Sequence, residues 1–359
     1  MIEYKIPNKE TGPTVFNMAL HSLRIVFMGT PEFAVASLDA LVKAGYNIVV
    51  VVTAPDKPSG RGMKMNVGAV KKYAVEHNLK VLQPEKLKNP EFLERLKLLN
   101  ADLQIVVAFR MLPEAVWNMP RMGSVNLHGS LLPQYRGAAP INWAVINGEK
   151  ETGVTTFKLK NEIDTGDILL QESFPIGENE TAGEVHDKMK EIGAQVLLKT
   201  VQGLADGSLK EKPQLSIVKS EIPKELSEFE PSLSPLTTHP SPLKHAPKIF
   251  TETCKIDFTK TTEVVHNLIR GLSPFPGAFT TLDGKMLKIY SSEKESSLSG
   301  QTETPAVAGQ TVRPGEYKTD GKTFLKFACT NGYIHVKELQ LEGKKKMSTE
   351  DFLRGYRFE

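Results

Sequence analysis

Hydrophobic residues beyond Leu23 fall into short apolar runs separated by segments with helical spacing. The runs LRIVFM, NIVVVVT, LKVLQP and DLQIVVAF are almost entirely apolar, which is typical of strands covered on both faces. The segments between them, such as VGAVKKYAVEHN and PEFLERLKLLN, repeat apolar residues every three or four positions, as amphipathic helices do. This alternation predicts an α/β fold, a Rossmann-like and mostly parallel sheet, over residues 23–207.

A change in composition divides the chain beyond its middle. Thr181 and Glu184 form a predicted capping box, and the helix it opens should end near Gly207. The segment PSLSPLTTHPSPLKHAP is rich in Pro and Ser, which predicts a linker over residues 208–247. One helical segment, TTEVVHNLIRGL, then precedes short strands such as GKMLKIYSS and GYIHVKELQL. Residues 248–359 are therefore predicted to form a smaller β-barrel (OB-like) domain.

Composition and charge narrow the classes of function. With 24% charged residues and a formal net charge of +3, the global charge alone does not call for a nucleic-acid partner. The apolar runs are strand-sized and far shorter than the roughly 20 residues of a membrane span. Cys254 and Cys329 match no metal spacing, so we expect reduced thiols, a cytoplasmic location and no metal. Residues 1–22 lack the pattern of a targeting signal and are expected to be a disordered leader, with Met18 as an alternative start.

Several catalytic and nucleotide-binding motifs are missing from the sequence. GTPEFA follows the first strand, where a dinucleotide fingerprint would lie, but it lacks the G-x-G-x-x-G spacing. The absence of a P-loop, H-E-x-x-H or G-x-S-x-G weakens assignment as an NTPase, a zinc protease or an α/β-hydrolase. Ligands of parallel sheets bind at the carboxyl ends of strands. We therefore expect the site near VNLHGS, which ends a later strand.

Asn126 and His128 lie one residue apart at that strand end, so their side chains should share one face. An amide can donate to a developing oxyanion, and an imidazole can move a proton near neutral pH. Downstream, DTGD places Asp164 and Asp167 on a tight turn, where a carboxylate could orient the histidine. Together these groups suit acyl transfer through a tetrahedral intermediate. Taken alone, an Asn-x-His pair is more often a turn cap beside a hydrogen-bonded structural histidine.

The full set of motifs resembles a known family. FMGTPEFAV, NLHGSLLPQYRGAAPIN, ETGVTTFKL and DTGDIL, in this order and spacing, are similar to segments of the folate-dependent formyltransferases. With LQLEGKKKMSTEDFL near the C terminus, the set closely resembles the methionyl-tRNA formyltransferase family from about Leu23 to the end of the chain. The Asn-x-His and Asp residues are common to enzymes that use 10-formyltetrahydrofolate. They therefore specify the chemistry but not the acceptor.

The resemblance implies a role for each motif residue. Asn126 would hold the formyl oxygen, His128 would move protons between the attacking amine and the leaving folate nitrogen, and Asp164 would orient His128. The residues implied to line the folate pocket are Ser130, Leu131, Leu132 and Pro133. The residues implied to contact tRNA are Lys57, Arg61 and Lys64 around the DKPSGRG loop, and Lys344, Lys345 and Lys346.

The implied co-substrate is 10-formyltetrahydrofolate and the implied acceptor is initiator methionyl-tRNA, with no metal, no membrane and a monomeric enzyme. The segment VVAFRMLP places Arg110 near a position where the family commonly has glycine. One alternative is a formyltransferase acting on a sugar nucleotide or glycinamide ribonucleotide. Another is a catalytically silent RNA-binding protein. The second domain and the basic segments disfavour glycinamide ribonucleotide, and the intact Asn126, His128 and Asp164 disfavour a silent protein.

Overall fold

The structure is a computed structural model that describes residues 23–59, 64–214, 243–296, 306–307, 310–311 and 313–358. The predicted leader, the loop tip that carries Arg61 and most of the predicted linker lie outside the described residues.

The first part of the chain alternates strands and helices. Its strands are β1 (Arg24–Gly29), β2 (Asn47–Val52), β3 (Lys57–Ser59), β4 (Lys64–Asn66), β5 (Val81–Leu82), β6 (Leu103–Val107), β7 (Ser124–His128), β8 (Arg136–Gly137), β9 (Glu151–Lys158) and β10 (Ile168–Pro175). Its helices are α1 (Phe33–Lys43), α2 (Ala69–Glu76), α3 (Pro90–Leu98), α4 (Glu114–Trp117), α5 (Pro140–Ile146) and α6 (Ala182–Ala205).

The large sheet has the strand order β10-β9-β7-β6-β1-β2-β5. The pairs β2–β5, β1–β2, β1–β6 and β6–β7 are parallel, and β9 and β10 are added antiparallel beyond β7. The mostly parallel sheet predicted from continuous apolar runs is confirmed, and every residue of β6 is buried, as that pattern requires. The order in which the chain adds strands reverses at β1, with β2 on one side and β6 on the other. This is the kind of switch point at which open α/β sheets bind ligands.

The helices begin and end for local reasons. At the start of α6, the Thr181 hydroxyl accepts from the Glu184 amide at 3.3 Å, and the Glu184 carboxylate accepts from the Thr181 amide at 2.8 Å. This is the predicted capping box, and it satisfies two amide groups that would otherwise lack partners. Helix α6 ends at Ala205, and Gly207 follows with a φ of 73°, a conformation that glycine adopts at low cost.

The second part of the chain is mainly antiparallel. Its strands are β11 (His245–Ala246), β12 (Ala278–Leu282), β13 (Lys285–Ser296), β14 (Ala306–Val307), β15 (Gln310–Thr311), β16 (Tyr317–Thr319), β17 (Leu325–Cys329), β18 (Gly332–Leu341) and β19 (Met347–Ser348), and its α-helices are α7 (Thr262–Gly271) and α8 (Thr349–Gly355). A curled antiparallel sheet runs in the order β12-β13-β18-β17-β16, with β19 added beside β18. Its core includes Val265 and Ile269 of α7, packed with strand residues such as Phe327 and Ile334. The sheet is the half-barrel form of the predicted β-barrel domain.

The two parts of the chain contact each other through helices α5 and α7. The Asn142 side chain donates to the carbonyl of Gly271 at 2.8 Å. Arg270 is only 3% exposed, and its guanidinium donates to the carbonyl of Glu180 at 3.0 Å. Among the residues that the structure describes, no helix is both long enough and apolar enough to cross a membrane.

Candidate active site

A cavity of about 1480 Å³ lies at the carboxyl ends of β1, β6 and β7. A typical ligand pocket measures roughly 300–1,000 Å³, so this one has room for two reactants. One group of its lining residues follows β6 and includes Phe109, Arg110, Leu112 and Trp117. A second group lies near the start of α5, with Pro31, Phe33 and His186 beside it.

Asn126 and His128 both line this cavity, as their shared face on β7 predicted. The amide of Asn126 is partly exposed, whereas His128 is only 7% exposed. Asp164 comes from the turn before β10 and lines the same cavity. The structure thus brings the three predicted catalytic side chains to one place. An amide donor, an imidazole and a carboxylate together can stabilise an oxyanion and move a proton.

His128 is held by a hydrogen bond at one ring nitrogen and faces a carboxylate with the other. Nε2 lies 2.9 Å from the backbone carbonyl of Tyr135, and because a carbonyl only accepts, Nε2 must carry a hydrogen. Nδ1 lies 3.7 Å from Oδ2 of Asp164, beyond direct hydrogen-bond distance. Among the described residues, Nδ1 has no direct hydrogen-bond partner, so it is the ring nitrogen that can exchange a proton.

Asp164 occupies a tight and unusual turn. Its φ is 54°, in the left-handed region that an aspartate tolerates better than most residues. Two residues later, a Cβ on Gly166 would lie 1.5 Å from the carbonyl oxygen of Lys158, so only glycine fits there. The carboxylate Oδ2 accepts from the backbone amide of Gly137 at 2.9 Å. This bond joins the Asp164 turn to the loop that follows His128.

Residues 129–139, here called the catalytic loop, bend back beneath His128. Tyr135 has a φ of 58°, and its hydroxyl donates to Glu149 at 2.5 Å. Burial and the contact with Glu149 raise the pKa of Tyr135 above its ordinary value, so the phenol stays protonated as a donor. The side chain of Lys244 reaches the same Glu149 oxygen at 2.5 Å. Tyr135 is thus fixed, and its carbonyl holds the imidazole of His128.

The four residues predicted to line the folate pocket lie within this loop. None of Ser130, Leu131, Leu132 and Pro133 lines the described cavity. The Ser130 carbonyl accepts from the Thr155 hydroxyl at 2.7 Å, and the Leu132 amide donates to the same hydroxyl at 3.1 Å. Gln171 donates to the Leu132 carbonyl at 2.9 Å. A contact of these four residues with a folate stays a prediction, and what the structure shows them doing is anchoring the loop to β9 and β10.

Arg110 stands near a position where the family commonly has glycine, and its side chain contacts a neighbouring segment. Its guanidinium donates to the Glu85 carbonyl at 2.8 Å and to the Pro84 carbonyl. It also lies near the ring of Phe109, with 5.7 Å between Cζ and the ring centroid. Arg110 therefore ties the loop after β6 to residues 84–85 and lines the cavity there.

Four of the predicted tRNA-contacting residues have described side chains, and none of these four, Lys57, Lys344, Lys345 and Lys346, lines the cavity. Lys57 is exposed on β3, while Arg61 and the side chain of Lys64 lie outside the described positions. Lys344 and Lys345 are exposed in the turn between β18 and β19. Lys346 pairs with Glu338 at 2.7 Å and lies over the ring of Tyr290. Of the three lysines in this turn, Lys344 and Lys345 therefore have the more accessible charges.

One group of side chains at the cavity rim has ligand atoms close enough to hold a metal ion. It consists of Glu32, His186 and Asp187, whose ligand atoms lie within 4.8 Å of one another. The Lys190 ammonium lies 2.9 Å from the Glu32 carboxylate and 3.4 Å from that of Asp187. A lysine there already neutralises the carboxylates, so this group is explained as an ion-pair cluster.

Sequence reasoning missed several residues that position the site. The Tyr135 carbonyl, the Gly137 amide and the side chain of Gln214 all lie around the pair His128 and Asp164. The only signal for the first two was the stiff Gly- and Pro-containing loop itself, and Gln214 had none.

Comparison with known proteins identifies the family. Residues 23–201 match the Formyl transferase family, and residues 248–357 match the Formyl transferase C-terminal domain family. A methionyl-tRNA formyltransferase of Bacteroides fragilis is 48% identical over 94% of this chain and 97% of its own length. That of Phocaeicola vulgatus is 51% identical over 95% of this chain and 98% of its own length. The chain belongs to the methionyl-tRNA formyltransferase family.

A solved structure shares the fold. HypX from Aquifex aeolicus in complex with tetrahydrofolic acid aligns with a TM-score of 0.58 and 18% identity, over 94% of this chain and 48% of HypX. The family assignment agrees with the resemblance carried by the Asn126, His128 and Asp164 motifs.

Proposed function

We propose that this chain transfers the formyl group of 10-formyltetrahydrofolate to the α-amino group of initiator methionyl-tRNA. The observation that carries the proposal is the meeting of Asn126, His128 and Asp164 at one cavity, in a chain about half identical to methionyl-tRNA formyltransferases over nearly its whole length. Family membership supports the chemistry and the acceptor. The geometry supports the role proposed for each of the three side chains.

The reaction begins when the α-amine nitrogen attacks the formyl carbon. The carbonyl oxygen then gains negative charge, and the amide of Asn126 donates to it from the end of β7. An amine that has attacked carries a surplus proton, and the folate nitrogen needs one to leave. Nδ1 of His128 is the ring nitrogen free to accept that proton and deliver it, because Nε2 is held by the Tyr135 carbonyl. Collapse of the oxyanion breaks the bond to folate and leaves the formyl group on the amine.

Asp164 places a carboxylate beside His128 in this cycle. Its carboxylate faces Nδ1 at 3.7 Å and is kept in place by the Gly137 amide. At this distance the charge of the carboxylate helps to orient the ring and stabilises the imidazolium that forms when Nδ1 takes the proton. The amine is itself the nucleophile, so no covalent intermediate with the protein is needed.

The cavity fits a folate and an aminoacyl group side by side. Apolar walls from Phe109, Leu112 and Trp117 suit a flat ring system on the side of β6. The other side is lined by Phe33 and Ile141, near the start of α5, and suits the aminoacyl end. A monomeric state and contacts to tRNA through Lys57, Arg61, Lys64 and Lys344–Lys346 are further parts of the proposal.

Parallel formylation assays test the proposed acceptor. The full chain is supplied with 10-formyltetrahydrofolate and, separately, with charged initiator methionyl-tRNA, an amino-sugar nucleotide and glycinamide ribonucleotide. Formylation of the tRNA alone supports the proposal. Preferential formylation of a small acceptor would establish the same chemistry with a different substrate, and no formylation of any acceptor would sink the proposal.

A further inference from the structure

Gln214 lies in the segment after α6, yet its side chain is bonded into the active site. Its amide nitrogen donates to the carbonyl of Asp164 at 2.9 Å and to the carbonyl of Gly166 at 2.8 Å. Its amide oxygen accepts from Nη2 of Arg136 at 2.6 Å and from Nε at 3.2 Å. All the hydrogen-bonding capacity of this one amide is therefore directed to two catalytic segments.

The relative position of these two segments determines how the Asp164 carboxylate lies against the His128 imidazole. Arg136 precedes Gly137, whose amide holds the Asp164 carboxylate. Tyr135, one residue earlier, supplies the carbonyl that holds His128. Asp164 has a left-handed backbone conformation, which costs free energy and therefore persists only where the surrounding structure holds it. Gln214 bridges the strained turn to the loop, so it sets the position of the carboxylate relative to the imidazole.

The same loop is held from its other side by the segment before the second domain. Strand β11 pairs in parallel with β8, and Tyr135 donates from its amide to the carbonyl of Lys244 at 2.7 Å. A Cβ on Gly137 would lie 2.4 Å from the carbonyl oxygen of Ala246, so glycine is what permits this close approach. Both described ends of the predicted linker thus contact residues 134–139, and Gln214 also reaches Asp164.

We propose that Gln214 is a positioning residue for the formyl transfer, acting through Asp164. The inference rests on the proposed function, because it assumes that Asp164 orients His128 in the reaction. Gln214 does not line the cavity itself. Its effect is expected in turnover and in the pH profile of turnover, with folate affinity left nearly unchanged, because a misplacement of about 1 Å at a catalytic group can cost about a hundredfold.

The test compares single and double variants of the full chain in methionyl-tRNA formylation. Gln214→Ala should lower kcat about tenfold to a hundredfold, with the KM for 10-formyltetrahydrofolate changed less than about threefold. Gln214→Glu keeps the acceptor for Arg136 but removes the donors to Asp164 and Gly166, so it should show a similar loss. In an Asp164→Asn background, Gln214→Ala should change kcat by less than about threefold, because residues that act as one unit are not additive.

Gln202→Ala is the matched control, since Gln202 is exposed on α6. It should match the wild type in kcat, thermal midpoint and pH profile. A merely structural Gln214 would lower the thermal midpoint, leave the pH profile of the folded enzyme unmoved and add its loss to that of Asp164→Asn. Additive losses, or wild-type kcat in Gln214→Ala and Gln214→Glu, would overturn the inference while leaving the proposed function intact. Wild-type turnover in Asp164→Asn would instead remove the catalytic assignment of Asp164, and this inference with it.

Discussion

The catalytic loop and the basic turn between β18 and β19, the two regions proposed to act on the substrates, are built on opposite principles. Around His128, nearly every polar group has a fixed partner, and the histidine is 7% exposed. In the turn between β18 and β19, Lys344 and Lys345 extend into solvent. The first region can stabilise a transition state because its groups are already in place. The second can attract a phosphate backbone without a fixed geometry.

This difference predicts how each region responds to mutation. Loss of a buried, pre-positioned group should remove catalysis while leaving binding intact. Loss of an exposed charge should instead weaken binding by a modest and salt-dependent amount.

Removing the imidazole or its carboxylate should have the largest effect. His128→Ala and Asp164→Asn should each lower kcat about a hundredfold to ten-thousandfold, because both act on the proton in the transition state. Folate affinity, measured by titration of the protein's fluorescence, should change less than about threefold. Near-normal formylation by either variant would remove that residue from the catalytic assignment.

Replacing Asn126 gives a second measure of how much the pre-positioned groups around His128 contribute to turnover. Asn126→Ala should lower kcat about a hundredfold to a thousandfold, the usual loss for one oxyanion donor. Asn142→Ala is a useful comparison, because this side chain also lines the cavity but donates to the Gly271 carbonyl. If the two variants lose activity equally, the special role of Asn126 is wrong.

Arg270 tests whether a buried, hydrogen-bonded charge outside the active site contributes more to folding stability than an exposed charge does. Its guanidinium is 3% exposed and donates to the Glu180 carbonyl and to Oδ1 of Asn267. Arg270→Ala should lower the free energy of unfolding in urea by about 3 kcal/mol, because it removes charge-assisted hydrogen bonds and leaves buried acceptors unpaired.

Arg354→Ala is the matched control for that experiment. The Arg354 side chain is 72% exposed and pairs with Asp351 at 3.0 Å, so its loss should cost less than about 1 kcal/mol. Equal destabilisation by the two substitutions would show that the burial of Arg270 does not increase its contribution to the free energy of unfolding.

The exposed lysines should produce smaller, salt-dependent changes. The double variant Lys344→Ala with Lys345→Ala should weaken tRNA binding and reduce the slope of log affinity against log salt by about two, because two fewer phosphates are neutralised. Lys97→Ala on α3 is an exposed control expected to keep the wild-type slope. Filter binding of tRNA at several salt concentrations gives both values, and an unchanged slope in the double variant would exclude this turn from the interface.

The smallest effect concerns acid stability at the domain interface. Burial, together with the charges of Lys294 and Arg270, lowers the pKa of His266 below its ordinary 6.5. Well above pH 6.5 the group is neutral in both the folded and the unfolded chain. As the pH falls below that value, the unfolded chain takes up the proton first, so stability should fall by at most about 1.4 kcal/mol per pH unit.

His266→Gln should flatten this acid slope, measured by urea unfolding from about pH 6.5 down to about pH 5. His77 is exposed at the end of α2, and its replacement by Gln should leave the slope in place. An unchanged slope in His266→Gln would assign the acid sensitivity to other groups.

Much of the fold could be predicted from local pattern. Continuous apolar runs predicted the parallel strands, and Thr181 and Glu184 marked the start of α6. Alternation along a strand placed Asn126 and His128 on one face, and the ligand rule for parallel sheets placed them at a cavity. These features depend on residues a few positions apart, whose geometry is set by the periodicity of helix and strand.

The residues from Ser130 to Pro133 show where local pattern stops being sufficient. The family resemblance implied that they line the folate pocket, which stays a prediction, and the structure shows their backbone groups bonded to Thr155 and Gln171. Which side of a loop faces a ligand depends on the strands that pass behind it. Nothing within the motif specifies those strands.

The sequence by itself determined the elements, the chemistry-bearing residues and their face on β7. Only the tertiary structure decided that the Gly137 amide holds the Asp164 carboxylate, that the Tyr135 carbonyl holds the imidazole of His128, and that Gln214 bridges the two segments. The physical reason is that a hydrogen bond between distant residues forms only where the packed chain brings donor and acceptor within about 3 Å. That closeness is a property of the whole packed core, and no short stretch of sequence encodes it.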